Sequence, residues 1–281
     1  MKFDHFVFTR FNLRKKDWVN TKNKKLVLTD DWHKARFKLF EHFCFHAMKH
    51  QSNTHFTWVV LFDTTTSPKF RKKINQLFSE FSHFKALFVD GMDSFMPAVV
   101  NYVKQHCKAD YVITSRLDND DFVSINFIQT IQDEFSEQKY MALDFVDGYT
   151  LKTQPNFQLG YHLNVFNPFI SLIEKNTKNI TTVWDKDHAS WKREPRVKQI
   201  RNKLIWMSII HTDNKVNEFL GFGKPKIEVV KKNFTFHPHI IPQIDHNLKI
   251  PFLKRIFNLI SVFFNFYFKL AKRKIGIYKV K

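Results

Sequence analysis

Tyr111-Val112-Ile113-Thr114-Ser115-Arg116-Leu117-Asp118-Asn119-Asp120-Asp121 is the stretch on which the fold class of this chain turns. Its first half is a short apolar run rich in β-branched residues, the pattern of a buried strand. The run ends in three carboxylates within four positions. Like charges this close make one another costly to ionise, so something positive must sit among them. Asp118 and Asp120 alternate along an extended backbone and therefore point to one side. Two hard oxygen ligands on one side suit magnesium or manganese, ions commonly shared with the phosphates of a substrate. A calcium loop is excluded, because its sixth and twelfth positions need Gly and Glu and are here Val123 and Gln129. A solvated acidic turn capping the next helix is the simpler alternative; Arg116 and the strand before it argue for a placed cluster instead.

Upstream of this strand the chain alternates. Residues 6–9 read as a strand, followed by a polar, basic loop. A helix starts at Asp30-Asp31-Trp32 and carries Trp32, Ala35, Phe37, Leu39, Phe40, Phe43, Cys44 and Ala47 at near-helical spacing. Residues 56–62 form a strand closed by Asp63. Pro68 opens a helix with Ile74, Leu77, Phe78 and Phe81 on its apolar face. Residues 86–89 make a strand and residues 97–107 a helix. Strand and helix in alternation predict an α/β fold, a Rossmann-type mainly parallel sheet flanked by helices. Ligands of such sheets gather at the carboxyl ends of the strands. Thr9-Arg10, Asp63 and Asp118–Asp120 all fall at such ends. Beyond Asp121 a helix over residues 125–135 and a strand over 140–145 lead to Asp147-Gly148-Tyr149. Irregular sequence rich in Asn, Thr, His and Trp follows, suited to shaping the pocket of a second substrate. Asn167-Pro168-Phe169 reads as a turn before a helix over residues 170–174.

The 281 residues suffice for a large core, and a formal net charge of +19 points to an anionic partner. The abundance of Phe, at 33 copies, can follow from base composition and assigns no function. Cys44 and Cys107 form neither a metal-type pair nor a disulfide framework. Met1-Lys2-Phe3-Asp4-His5 runs straight into a strand without a signal-type apolar core, so a reducing, cytoplasmic setting is expected.

Thr9-Arg10-Phe11-Asn12 after a strand, Asp63 after a strand, and the run from Thr114 to Asp121 together resemble the bacterial putative rhamnosyltransferase family. The segment Trp206…Ile210-His211-Thr212-Asp213-Asn214 resembles it too, so the likeness covers roughly residues 5–215. That family is similar to GT-A-fold glycosyltransferases, which use a nucleotide-diphosphate sugar. The resemblance implies a hexosyltransferase in which Asp118 and Asp120 bridge Mn2+ or Mg2+ to the donor diphosphate. It implies that Thr9 and Asp63 lie near the nucleoside, with Arg10 and Asn12 in the same donor-binding motif, and Arg116 near the phosphates or donor sugar. His211 follows the apolar run 204–210 and is the candidate third metal ligand; a surface or satisfied core His is the alternative. Asn214 is a candidate for orienting a phosphate or sugar hydroxyl. An inverting reaction needs a base for the acceptor hydroxyl. Asp187 and then Asp185, in Trp184-Asp185-Lys186-Asp187-His188, are the candidates, against the alternative of an exposed acidic turn. Asp147 is a third, better suited to binding a sugar.

The tail completes the reading. Residues 256–268 carry no charge, but 13 residues of helix span only about 20 Å against a hydrocarbon core of roughly 30 Å. Arg255, Asn258, Ser261, Asn265, Lys269 and Lys272 recur every three or four residues as one polar stripe. Basic clusters bracket the apolar segment. A basic amphipathic helix lying on an anionic membrane surface fits this pattern; docking on the protein's own core or in a dimer is the alternative. The expected organisation is a glycosyltransferase domain over residues 1–248, split at 121 into donor-binding and acceptor-side halves, and a membrane-association tail over 249–281. The expected activity is metal-dependent transfer of a sugar to a glycan or lipid-linked acceptor of a bacterial surface polysaccharide or lipopolysaccharide, at the inner face of the cell membrane. The second reading is a basic metal-dependent nucleotidyltransferase or nucleic-acid-binding protein. The basic residues are not interleaved with a nucleic-acid motif, so no nucleic-acid partner is expected.

Overall fold

The computed structural model describes residues 2–20, 26–212, 218–245, 248 and 250–278. The alternation of the first half is present: β1 (Phe3–Arg10), α1 (Asp30–Phe40), a π turn (Glu41–Phe45) leading into α2 (His46–Lys49), β2 (Thr57–Asp63), α3 (Pro68–Phe78), β3 (Phe84–Val89), α4 (Phe95–His106) and β4 (Tyr111–Arg116). The second half adds β5 (Phe122–Val123), α5 (Phe127–Gln132), β6 (Tyr140–Phe145), β7 (Asp147–Lys152), β8 (Gln158–Leu163), β9 (Ser171–Lys175), β10 (Val197–Ile200), β11 (Trp206–Ile210), α6 (Ile227–Asn233), α7 (Ile241–Asp245) and α8 (Phe252–Lys274).

The central sheet has seven strands in the order β10-β6-β9-β4-β1-β2-β3. β1 is parallel to β2 and β4, β2 to β3, and β6 to β10. Only β9 runs against its neighbours, between β4 and β6. This is the mainly parallel α/β sheet that the alternation predicts. Its strands are buried on both faces, which is why they read as unbroken apolar runs. Along β2, Trp58, Val60 and Phe62 enter one core with Phe37 and Phe40 of α1 and Ile74 of α3. Val59 and Leu61 enter the other, with Phe95, Val99 and Val103 of α4.

Residues 170–174, expected as a helix, are mostly strand. A short apolar run carries no period that separates the two states, and a vacant position between β4 and β6 claimed this one. The supposedly irregular stretch after Asp147 likewise contains ordered strands. β5, β11, β7 and β8 form a second, four-stranded sheet in that order. β11 pairs antiparallel with β5, Met207 opposite Phe122 and Trp206 opposite Val123. Continuing that register carries β11 back alongside the acidic turn that precedes β5.

α8 docks on the domain by one face, with Asn258, Val262 and Phe266 buried. The Asn258 amide donates to the Gly221 carbonyl at 2.7 Å, Lys269 to Asn164 at 3.0 Å, and Arg273 to the Glu194 carbonyl at 2.8 Å. Two members of the polar stripe, Asn258 and Lys269, thus turn toward the protein. Phe257, Ile260, Phe264 and Tyr267 on the outer face are each more than 60% exposed. No helix among the described residues is long and apolar enough to cross a membrane.

Asp144, fully buried in β6, holds the turn between β8 and β9. It accepts from the Phe166 backbone N–H at 2.8 Å and the Asn167 amide at 3.0 Å. Burial pushes its carboxyl up to about 7, although these bonds and the charges of Lys269 and Arg273 oppose the rise. An unfolded Asp titrates near about 3.9, so between the two values the folded protein holds a proton that the unfolded chain has lost. The stability this group contributes is therefore complete below about pH 4 and is lost as pH rises toward about 7. Urea midpoints measured across this window should decline as pH rises, and Asp144→Asn should flatten the decline. An identical pH dependence in both proteins would remove Asp144 as its source.

Candidate active site

β1, β2 and β4 are parallel neighbours, so Arg10, Asp63 and Arg116 end them along one edge of the sheet. The acidic turn continues β4 on this edge. Asn119 fastens it to β1, its amide donating to the carbonyls of Arg10 at 2.8 Å and Phe11 at 3.2 Å.

The three carboxylates of the turn have three environments. Asp120 receives Arg36 from α1 at 2.7 Å and His211 Nε2 from the end of β11 at 3.0 Å, both on the same oxygen. Burial works against its charge, but Arg36 and His211 outweigh burial and hold its pKa below the usual carboxylate range. Asp121 is buried beside the charges of Asp120 and Asp118. Burial first, then those charges, raise its pKa well above the ordinary value, and one of its oxygens accepts from the Ile209 N–H at 3.3 Å. Asp118 is committed to neither arrangement. Its Oδ1 is buried without a hydrogen-bond partner; Arg10 Nε lies 3.8 Å from that atom and Arg116 Nη2 3.9 Å from the other oxygen.

Trp184 covers this corner. The Arg116 guanidinium lies 4.0 Å from the indole centroid and Arg10 5.4 Å, while Phe95 meets the ring edge-on at 4.7 Å. Burial lowers the pKa of Arg116, yet a guanidinium stays charged at any working pH. Arg116 Nε and Trp184 Nε1 are both buried without a partner. Two unsatisfied donors and one unsatisfied carboxylate oxygen therefore gather within one ring-and-guanidinium stack. Buried polar atoms are ordinarily paired, so these three mark the corner as a candidate binding site.

The other predicted residues are distributed as follows. The Thr9 hydroxyl points into the core and accepts from the Trp58 indole at 3.0 Å. Asn12 bridges His33, Thr66 and the Asp63 backbone N–H. Asp63 is buried and bound by Arg14 Nε at 2.8 Å and by the N–H and hydroxyl of Thr65. Thr9, Asn12 and Asp63 thus brace the strand ends, whereas Arg10, Arg116, Asp118, Asp120 and His211 surround the acidic turn. Asp185 is paired with Lys186 at 3.1 Å. Asp187 caps the short helix His188–Arg193, accepting from Ser190 N–H at 2.8 Å and its hydroxyl at 2.9 Å, and its charge is felt by Arg116. Asp147 is bound by Arg201 at 2.8 Å and the Asn202 N–H at 2.7 Å. Asn214 lies outside the described residues.

Arg36, Asn119 and Trp184 also sit at the site, although the sequence reading gave none of them a role. Arg36 carried a readable signal, since it falls on the buried face of α1 with Trp32, Phe37 and Phe40, and a buried guanidinium requires an anion. Among the described residues no three His, Cys, Asp or Glu side chains close around a single point. The donor chemistry nevertheless fits a hard divalent cation: a carboxylate oxygen with no hydrogen bond on Asp118, a second carboxylate on Asp120, and the imidazole of His211.

A search of the curated proteins found no match. Among solved structures, TarS 1-349 of S. aureus aligns with 12% identity over 74% of this chain and 60% of that one, at a TM-score of 0.42. The mannosyltransferase PcManGT of Pyrobaculum calidifontis, solved with GDP-Man and Mn2+, aligns with 8% identity over 86% of this chain and 68% of that one, at 0.43. The chain spans about 60% of the length of the TarS fragment. A family model described as putative rhamnosyl transferase matches residues 2–221. With that match over most of its length, the chain belongs to the putative rhamnosyl transferase family.

Proposed function

We propose that this protein transfers a sugar, rhamnose by the description of its family, from a nucleotide-diphosphate sugar to a glycan or lipid-linked acceptor, with inversion. The observation that carries the reading is the unsatisfied trio of Asp118 Oδ1, Arg116 Nε and Trp184 Nε1 at the carboxyl edge of β4. Arg10 and Arg116 supply positive charge to a diphosphate, and Trp184 offers a ring face beside them. Asp118 and Asp120, with His211 behind, would hold Mn2+ or Mg2+; such an ion supplies Lewis-acid stabilisation of the leaving diphosphate. Arg36 keeps Asp120 ionised for that purpose. Asp187, placed within the field of Arg116, is the first choice for the base that takes the acceptor proton, and Asp185 the second. Residues 1–248 form the catalytic unit in this reading, with 249–281 its membrane tail.

Asp118→Ala should reduce transfer at least a hundredfold while leaving the thermal midpoint unchanged or raised, because it also relieves repulsion in the turn. Product formation with labelled nucleotide sugars under limiting manganese measures this. Full activity in Asp118→Ala would end the metal-assisted reading.

Asp187→Asn should lower turnover by about 10²–10⁴-fold, the usual worth of a general base, with donor affinity nearly intact. A loss confined to Asp185→Asn moves the role there. Unchanged turnover in both variants rules out a base in this segment.

The exposed apolar face of α8 points to peripheral attachment at the cytoplasmic face of the membrane. Eleven large apolar side chains between Phe252 and Ile277 are more than a third exposed, and Lys254, Arg255, Lys272, Arg273 and Lys274 flank them. Each well-placed basic residue should add about 1 kcal/mol on anionic lipid. Sedimentation with vesicles should show stronger binding to anionic than to neutral lipid, weakened by salt, and lost in Phe257→Glu/Phe264→Glu. Binding that ignores both lipid charge and these substitutions would assign the face another role.

A further inference from the structure

A cavity of about 350 Å³ lies between the second sheet and α8, and its lining includes none of Arg10, Arg116 and Trp184. Thr150, His162, Trp206 and Ser208 line it from one face of β7, β8 and β11, and Asn265 and Lys269 line it from α8. The volume falls within the roughly 300–1,000 Å³ of small-molecule sites. Two glycines shape this sheet face. A Cβ on Gly148 would meet the Trp206 indole at 2.3–2.5 Å, and one on Gly160 would meet the Gly221 backbone at 2.5–2.6 Å. Trp206 therefore lies flat over Gly148, stacked on Phe169 at 5.0 Å.

The polar atoms of the cavity are unfinished. Thr150 is only 2% exposed, and its hydroxyl has no partner. His162 Nδ1 is also buried and unpartnered, while the ring's other nitrogen bonds to the Leu220 backbone. That bond makes the other nitrogen the donor, so Nδ1 presents a lone pair. Burial pulls the pKa of His162 down to about 4, which keeps the ring neutral at physiological pH. A hydroxyl and an imidazole lone pair, side by side on a face with an indole, match a hydroxylated ring. Lys269 and Glu218 both border the space with opposite charges, so the lining favours neither an anion nor a cation. Ser208 also hydrogen-bonds Asp121, so one strand joins the cavity to the acidic turn.

We propose that this cavity is the saccharide subsite for the acceptor, with the inner face of α8 as its wall. The assignment rests on the transferase reading for the word acceptor, and on the cavity's own chemistry for the word saccharide. With the outer face of α8 on a membrane, the wall of the subsite would lie against the lipid surface, where a lipid-linked glycan is presented.

Ligand-observed NMR on the full chain tests it, using a panel of methyl glycosides with magnesium and a saturating nucleoside diphosphate (UDP, GDP and dTDP in turn). At least one glycoside should give saturation transfer, and the nucleoside diphosphate should leave that signal in place. Asn265→Trp, on an exposed helix position, should fill the cavity and abolish the signal. Thr150→Val, which removes only the hydroxyl, should weaken binding about threefold to tenfold. Displacement of the glycoside by nucleoside diphosphate would make the cavity part of the donor site and overturn the assignment. Absence of any glycoside signal, or undiminished binding in Asn265→Trp, would overturn it too. Thermal shifts with the same nucleoside diphosphates separate the two readings: their absence alone counts against the transferase, while the glycoside result judges the cavity.

Discussion

One oxygen of Asp120, gripped by Arg36 at 2.7 Å and by His211 at 3.0 Å, is the contact on which the acidic edge depends. Three carboxylates within four residues cannot all ionise in a buried turn without positive partners. The molecule separates them. Asp120 is clamped, which holds its pKa below the usual carboxylate range; burial pushes the pKa of Asp121 well above that range; and Asp118 keeps one oxygen without a hydrogen bond between Arg10 and Arg116. Arg36 comes from α1 in the first half of the chain and His211 from β11 in the second. The same contact that relieves repulsion therefore also ties the second sheet to the first.

The register of β11 on β5 makes this clamp possible. Met207 faces Phe122, so the strand runs back along the turn and delivers Ser208 and Ile209 to Asp121 and His211 to Asp120. A slip of one residue would exchange the faces of the strand, burying Ser208 and turning Met207 into the cavity under α8. Pocket and acidic turn are thus two products of one pairing.

α8 departs from the usual economy of an amphipathic helix. Its buried face sets Asn258 beside Val262 and Phe266, and Asn258, Lys269 and Arg273 bond to the domain, while most of its large apolar side chains face outward. A helix that only closed a core would bury most of its apolar side chains, whereas here Phe257, Ile260, Phe264 and Tyr267 remain exposed. This arrangement docks the helix on the domain by one face and leaves a broad apolar face exposed.

Much of the first half was legible because its strands are buried on both faces and its helices on one, so each element carries its own period or unbroken run. Phe6 to Thr9, Trp58 to Phe62 and Tyr111 to Arg116 needed no partner to be recognised, and the burst of carboxylates after Arg116 marked the edge where the candidate site lies. β9 was not legible: a five-residue apolar stretch suits helix or strand, and pairing between β4 and β6 chose. Nor could residue order alone separate three neighbouring aspartates, since their charge depends on guanidinium and imidazole groups brought from 84 and 91 residues away. Local pattern, set by covalent neighbours and periodicity, determined which elements form and where their charged ends lie. Burial, register and the partner of each polar atom arise only when distant segments meet, and these decided which aspartate is clamped, which has its pKa driven up and which keeps an oxygen without a hydrogen bond.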